Sequence, residues 1–356
     1  MKSLKKLILI STIALGSIAF TSCDDFMARV RGDDENTNPS GDNNPTPGGD
    51  ETPDTPDNPD TPDTPTPGGD DTPDTPTPGP SVDPTENPDY SYLMANNRIK
   101  PTRDETYYAS CKGLKGEDLK RALHNIIKGH TTYTYNSTLN SYMKKTDADP
   151  DKPGNIILTY QGSVPSSTSF NKEHTWAKSH GNFGETRGIG SDLHNLRPCN
   201  ANLNSTRGSL DFGTVSSHVS TNNISKFSWA TSDMSNNFIN GTYFEPKDEF
   251  KGDIARMIFY MATRYESEDN YDLEVGGQID STRYRSFVSG ATGKHGNFND
   301  LYKWATSGQD PVSNFEVNRN NVIDSEYQHN RNPFIDHPEF IIMIYDTTYN
   351  GPGALM

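Results

Sequence analysis

The chain has 356 residues and a formal net charge of −16, and only 31% of its residues are hydrophobic. The segment from Asp33 to Asp89 accounts for this net charge, since it holds 16 acidic residues and no lysine or arginine. Residues 90–356 carry 27 basic and 30 acidic side chains, which excludes a strongly basic nucleic-acid binder but not an enzyme that acts on a polyanion.

Residues 1–22 have the layout of an export signal. Three lysines precede an apolar stretch from Leu7 to Phe20, and two small residues then lead to Cys23. The apolar stretch is too short for a membrane span, which needs about 20 residues. A cysteine at this place predicts lipoprotein cleavage with a lipid on Cys23. Ordinary signal cleavage, which would leave this cysteine without a role, is the alternative.

Residues 23–89 are predicted to be a disordered, lipid-anchored linker rich in Pro, Thr and Asp. The near-repeats TPDTPTPGG and TPDTPTPGP start at Thr61 and Thr72. Proline fixes extended backbone and like charges repel, so about 57 such residues could reach on the order of 170 Å. The sequence therefore predicts an exported domain over residues 90–356, anchored at the outer membrane or the cell surface. It leaves open whether that domain faces the periplasm.

Three helices are predicted in this domain. Apolar residues recur with helical spacing over 119–127, after Gly116 and before Gly129. A second apolar stripe runs over 253–265, and Pro338 is predicted to open a third, short helix.

Strands and loops are predicted between the helices. NIILTY from Asn155 is a β-branched run typical of a buried strand, and DLHNL from Asp192 is predicted to be another. The Asn-, Ser- and Gly-rich stretches 216–240 and 266–299 are predicted to be loops. The fold class expected is a mixed α+β domain with more helix than strand.

The stretch from residue 171 to residue 212 concentrates residues that can carry chemistry. Glu173 and His174 are adjacent, and Pro198 opens an Asn-rich segment that is predicted to be helical over 200–206. Two strands and one helix that bring Glu, His and Asn together have the layout of a ββα-metal finger.

These residue types suit hydrolysis of a phosphodiester. An imidazole with an ordinary pKa of about 6.5 can take a proton from water near neutral pH. Carboxylate and amide oxygens are hard ligands for Mg²⁺, which accepts substrate oxygens directly. An arginine can hold the phosphate or the product by paired hydrogen bonds.

Several ordered motifs suggest a family. EHTWAKS starts at Glu173, DLHNLRP at Asp192 and NSTR at Asn204. The blocks YYASCKGLKGEDLKRALHNIIKGH, KGDIARMIFYMATRY and HNRNPFIDHPEF lie on either side of these motifs. The pattern over residues 104–346 resembles the endonuclease I family, bacterial periplasmic and secreted nucleases of the ββα-metal (His-Me finger) class.

The resemblance implies a role for five residues. It implies that His174 is the general base and that Glu173 and Asn204 bind a divalent metal ion. Mg²⁺ is expected, with Mn²⁺ or Ca²⁺ as alternatives. Arg207 matches the arginine after the family's metal-binding asparagine, and it would orient the helix or contact phosphate. Arg187 is the one arginine in the loop after His174 and is the further candidate for a phosphate contact.

The resemblance also implies an activity. It predicts a monomeric, largely sequence-nonspecific endonuclease that acts on DNA, or on RNA as well, and leaves 5′-phosphate ends. The alternative is a surface lipoprotein without catalysis that binds nucleic acid or glycan.

Other polar residues have simpler interpretations. His194 is predicted to hydrogen-bond within the finger, while Asn200 and Asn202 are predicted to cap the helix or line the surface. Cys111 and Cys199 could form a disulfide in an oxidising compartment or remain buried thiols.

Overall fold

The structure, a computed structural model, describes residues 88–215, 219–220, 234, 236–268 and 270–356. The predicted export signal, the lipid site at Cys23 and the linker up to residue 87 lie outside the described residues, as does most of the predicted loop 216–240. In the ranges given above, no helix is both long enough and apolar enough to cross a bilayer.

The described part of the chain is a mixed α+β fold in which helices predominate. The α-helices are α1 (Gly116–Ile127), α2 (Thr138–Thr146), α3 (Ala201–Arg207), α4 (Lys251–Arg264), α5 (Phe298–Thr306), α6 (Asn314–Val322), α7 (Pro333–Asp336) and α8 (Phe340–Tyr345). A π-helical turn over Ile323–Tyr327 continues α6, and short 3-10 turns occupy Ser91–Leu93, Glu105–Cys111, Lys178–His180, Ile189–Ser191 and Asp248–Phe250.

The strands are short and form small sheets. They are β1 (Asn155–Leu158), β2 (Gly162–Pro165), β3 (Asn171–His174), β4 (Leu196–Cys199), β5 (Asp211–Phe212), β6 (Val219–Ser220), β7 (Phe238–Ile239), β8 (Tyr243–Glu245), β9 (Leu273–Val275) and β10 (Gly293–His295). β1 pairs antiparallel with β2, β3 antiparallel with β4, and β9 parallel with β10, while β5, β8, β7 and β6 lie side by side in that order.

The core is built around α4. Every residue of this helix from Gly252 to Arg264 is buried, and α1, α5, α7 and β9 pack against it. Leu119, Leu123 and Ile127 of α1 are fully buried at helical spacing, and burial of each such side chain stabilises the fold by about 1.5–3 kcal/mol. The predicted helices at 119–127 and 253–265 are therefore confirmed.

Two predicted elements are displaced. The third helix begins at Phe340 rather than at Pro338, and a separate helix opens at Pro333 after the Asn332 side chain accepts a hydrogen bond from the amide of Phe334. The prediction that DLHNL forms a strand was wrong, because residues 193–195 form a turn and β4 begins only at Leu196.

Asp192 explains this turn. Its carboxylate accepts a hydrogen bond from the amide of His194 at 2.8 Å, and its carbonyl accepts from the amides of Asn195 and Leu196 at 3.0 and 2.9 Å. Local bonds of this kind compete with a strand ladder.

His194 is a structural histidine in this turn. It is 1% exposed, its Nε2 donates to the carbonyl of Asn330 at 3.3 Å, and its ring lies 4.6 Å from that of Tyr260. Burial lowers the pKa of His194 to about 4. His194 is therefore structural, but the prediction that its ring bonds within the finger was wrong, because its partner Asn330 lies outside residues 171–212.

This environment predicts a pH-dependent stability. The folded-state pKa of His194 lies below the unfolded value of about 6.5. The contribution of the neutral His194 ring to the free energy of unfolding is therefore fully present above pH 6.5 and is lost as the pH falls to about 4. We expect the difference in unfolding free energy between the wild type and His194→Gln to shrink by about 3 kcal/mol from pH 7 to pH 4. Denaturant titrations of both proteins measure it, and parallel stability curves would contradict the assignment.

Cys111 and Cys199 are both fully buried and unpaired. The thiol of Cys199 donates to the carbonyl of Thr159 at 3.7 Å. Of the two possibilities left open by the sequence, the fold therefore contains the free thiols, and burial raises the pKa of the Cys111 thiol to about 12.

Candidate active site

The motif residues lie on β3, β4 and α3. In the β3–β4 pair Glu173 is opposite Arg197, and His174 is opposite Leu196. The chain then turns at Asn200, whose side chain accepts hydrogen bonds from the amides of residues 202 and 203 and so caps α3. Asn200 is thus a cap, as predicted, and Asn202 is exposed on the surface.

His174 is held as a neutral imidazole with a defined tautomer. Its Nε2 lies 2.8 Å from the carbonyl oxygen of Gly190. A carbonyl can only accept, so Nε2 must carry the proton and Nδ1 must be the nitrogen with a free lone pair. Burial lowers the pKa of His174 to about 4, so the ring stays unprotonated near neutral pH. The arrangement gives Nδ1 the capacity to accept a proton.

The loop around Gly190 is tightly packed. A Cβ at this position would lie 2.8 Å from the carbonyl oxygen of Gly184 and 2.9 Å from the carbonyl carbon of Glu185. Glycine therefore allows the backbone approach that brings this carbonyl to His174.

Tyr135 covers the other side of His174. The two rings are stacked with centroids 5.4 Å apart and planes at 21°. The ammonium groups of Lys172 and Lys178 lie 4.9 and 6.0 Å from the centroid of the Tyr135 ring. Lys178 is paired with Glu185 at 2.7 Å, so Lys172 is the cation that we expect to favour the approach of a phosphate.

Glu173 is a buried carboxylate with two partners. It is 2% exposed, accepts a hydrogen bond from the Tyr160 hydroxyl at 2.8 Å, and lies 3.5 Å from the Nε of Arg207. Burial raises the pKa of the Glu173 carboxyl, and Arg207 and Tyr160 act in the opposite direction. Tyr160 and Arg207 both approach Oε1, so among the residues that the structure describes Oε2 is the oxygen open to a cation.

Asn204 is brought to the same strand. Its Nδ2 donates to the carbonyl of Lys172 at 3.4 Å, one residue before Glu173. Because the amide nitrogen faces β3, the Oδ1 atom is the free end of the carboxamide. A carboxylate and a carboxamide oxygen form a donor set that fits a hard divalent cation.

Arg207 is buried and engaged by the protein. It is 1% exposed, its Nη1 lies 3.4 Å from the carbonyl of His174, and its Nη2 donates to the carbonyl of Thr175 at 2.7 Å. The guanidinium also lies 4.7 Å from the centroid of the Phe212 ring. These contacts favour the interpretation that Arg207 orients helix α3 against β3 over the interpretation that it contacts phosphate.

Arg187 is exposed in the loop that leads to Gly190. Its Nε donates to the Thr132 hydroxyl at 3.0 Å. It borders a cleft of about 390 Å³ that is otherwise lined by the segment 131–142. Unlike Arg207, it presents its guanidinium at the surface.

A second polar cluster lies behind Arg207 and was missed from the sequence. It consists of His180, Asp211 and His295, whose ring nitrogens and carboxylate oxygen lie within 4.8 Å of one another. Its members lie 31 and 84 residues apart in the chain, and no local motif joins them.

Comparison with known proteins shows which family this chain resembles. The sequence profile of the family Endonuclease I matches residues 115–339. The chain is 45% identical over 251 residues to the extracellular ribonuclease of Bacillus amyloliquefaciens, covering 68% of this chain and 79% of that protein. It is 42% identical over 244 residues to the extracellular ribonuclease of Bacillus subtilis (strain 168), covering 66% and 77%.

Proposed function

Because the chain belongs to the endonuclease I family, we propose that it is an exported, metal-dependent endonuclease that hydrolyses RNA as well as DNA. The observation that carries the proposal is the bond between His174 Nε2 and the Gly190 carbonyl, since it leaves Nδ1 as a proton acceptor.

His174 is the general base in this proposal. Its Nδ1 takes a proton from a water molecule as that water attacks the phosphorus. The Gly190 carbonyl then stabilises the imidazolium through the Nε2 proton, and the stacked Tyr135 ring keeps the imidazole in place.

Glu173 and Asn204 are proposed to hold the cation, so that β3, β4 and α3 act as a ββα-metal finger. A divalent ion such as Mg²⁺ would supply positive charge to the phosphate as the leaving oxygen departs. Glu173 contributes its charge and Asn204 its neutral Oδ1 atom, while Arg207 keeps Glu173 in position.

The substrate range follows from the nucleophile. Water attacks the phosphorus, so the 2′-hydroxyl of ribose is not required, and both RNA and DNA fit the mechanism. The description of two relatives as extracellular ribonucleases supports RNA as a substrate. Arg187, exposed beside the cleft, is the residue we propose for contact with a substrate phosphate.

The location proposed is outside the cytoplasm. The two relatives are described as extracellular, and the first 22 residues have the layout of an export signal. A lipid on Cys23 would tether the monomeric domain to the outer membrane or the cell surface through the linker.

The function is tested with supercoiled plasmid DNA and a structured RNA in Mg²⁺. We expect nicking of the plasmid and endonucleolytic cleavage of the RNA, with 5′-phosphate ends on both products. RNA fragments that end in a 2′,3′-cyclic phosphate would contradict attack by water. Binding of both nucleic acids without turnover in Mg²⁺ or Mn²⁺ would support the non-catalytic alternative.

A further inference from the structure

A chain of polar contacts leads from the surface to the back of Glu173. Asp211 Oδ1 lies 2.7 Å from His295 Nδ1 and accepts a hydrogen bond from the amide of Gly296 at 2.8 Å. His295 Nε2 lies 2.9 Å from Nη2 of Arg207, which in turn pairs with Glu173. His295 is 1% exposed, so water does not replace these partners.

The contacts allow only one placement of the ring proton. A guanidinium can donate but not accept, so His295 Nε2 must be the acceptor of the Arg207 hydrogen bond. The proton of the neutral ring is then on Nδ1, where it is donated to the Asp211 carboxylate. Burial lowers the pKa of His295 to about 4, in agreement with a neutral ring.

We propose that Asp211 and His295 are positioning residues that hold the Arg207 guanidinium against Glu173 and against the backbone that follows His174. This inference rests on the proposed function, since it gives the pair the role of holding the proposed metal ligand Glu173 and the proposed base His174 in position. Asp211 accepts the Nδ1 proton of His295, and His295 presents to Arg207 the Nε2 lone pair that accepts a hydrogen bond from Nη2. The opposite tautomer would point an N–H group at the guanidinium.

The same geometry argues against a metal ion in the cluster of His180, Asp211 and His295. A neutral imidazole has one free lone pair, and the lone pair of His295 is used by Arg207. His180 Nδ1 donates to the carbonyl of Lys294 at 2.9 Å, and it also lies 3.3 Å from Asp211 Oδ1 and 3.2 Å from His295 Nδ1. Hydrogen bonds therefore account for the cluster without an ion.

Four variants of the full chain test the positioning role through Mn²⁺ binding, measured by electron paramagnetic resonance or calorimetry. A glutamine at 295 can place its carboxamide oxygen where Nε2 was, whereas an asparagine reaches only the Nδ1 position and leaves Arg207 without its acceptor. We expect His295→Asn and Asp211→Asn to raise the Mn²⁺ dissociation constant about tenfold, the lower end of the effect of residues that orient metal ligands. His295→Gln should remain within about threefold of the wild type. So should His180→Ala, because it leaves the hydrogen bond between Arg207 and His295 in place.

Equal Mn²⁺ affinities of His295→Asn and His295→Gln would overturn the proposal. One equivalent of Zn²⁺ bound by the wild type and lost in His180→Ala would also overturn it, since the cluster would then be a metal site.

A second measurement does not depend on nuclease activity. Long-range ¹H–¹⁵N spectra of ¹⁵N-histidine-labelled protein report which ring nitrogen carries the proton. We expect His295 to be protonated at Nδ1 in the wild type, because Arg207 can only donate to Nε2. Protonation at Nε2 in the wild type would overturn the inference, even if the protein proves to be an active nuclease. If the tautomer is as expected but no nucleic acid is cleaved, the proposed function fails and the hydrogen-bond chain stands.

Discussion

Replacement of His174 by alanine is expected to lower kcat for DNA and RNA cleavage by about 10³-fold, the usual contribution of a positioned general base. The reason is the loss of the one nitrogen, Nδ1, that the Gly190 contact leaves free to accept a proton. Initial rates at saturating Mg²⁺ and substrate measure the effect. The Mn²⁺ dissociation constant should stay within about threefold of the wild type, because Glu173 and Asn204 remain.

His180→Ala is the matched control for this experiment. His180 lies six residues further along the chain on a short 3-10 turn, outside β3, β4 and α3. Its Nδ1 donates to the Lys294 carbonyl and lies 3.3 Å from Asp211 Oδ1. We expect its activity to equal that of the wild type. A His174→Ala protein that keeps more than a tenth of the wild-type rate would show that another group removes the proton.

Loss of the divalent cation should be as damaging as loss of the base. Treatment with EDTA is expected to abolish cleavage, and excess Mg²⁺ should restore it, because the carboxylate and the amide oxygen cannot stabilise the departing oxygen without the ion. Glu173→Gln keeps the shape of the side chain and an acceptor for Tyr160 but removes its charge. We expect this variant to bind Mn²⁺ at least about 10²-fold more weakly and to lose activity in proportion.

Glu185→Gln is the corresponding control. Glu185 lies in the loop after His174, is exposed, and pairs with Lys178 at 2.7 Å, so the same change of charge is made near the site without touching the proposed ligands. Its Mn²⁺ affinity and activity should be those of the wild type. Cleavage that persists in EDTA, or a Glu173→Gln protein with normal Mn²⁺ affinity, would remove the metal from the mechanism.

The parts of the fold that sequence predicted are those with a strong local pattern. Helices α1 and α4 carry apolar residues at helical spacing over three or more turns, and both were identified. Helix α6 was missed because its nine residues include four asparagines and no clear apolar stripe. Its signal was the capping box, in which Ser313 and Glu316 bond to each other's backbone amides.

The site shows the same division. Glu173, His174 and Asn204 lie within one stretch of the chain and match a family pattern, so their association could be predicted. Asp211 and His295 reach Arg207 only through the packing of β5 and β10, which no local spacing encodes. In the same way, the turn at Asp192 depends on backbone bonds that override the strand-like composition of DLHNL.

The partner of His174 Nε2 is a main-chain oxygen, and this has a consequence for how the protein tolerates sequence drift. No single side-chain replacement can delete a backbone carbonyl, so the proton on the base is secured against most point substitutions in the loop. The backbone conformation at Gly190 is what substitutions can change, because any larger residue there would collide with the backbone of Gly184 and Glu185. Insertions and deletions between Lys178 and Ser191 are therefore the changes that would move the Gly190 carbonyl away from His174 while every side chain of β3, β4 and α3 is kept.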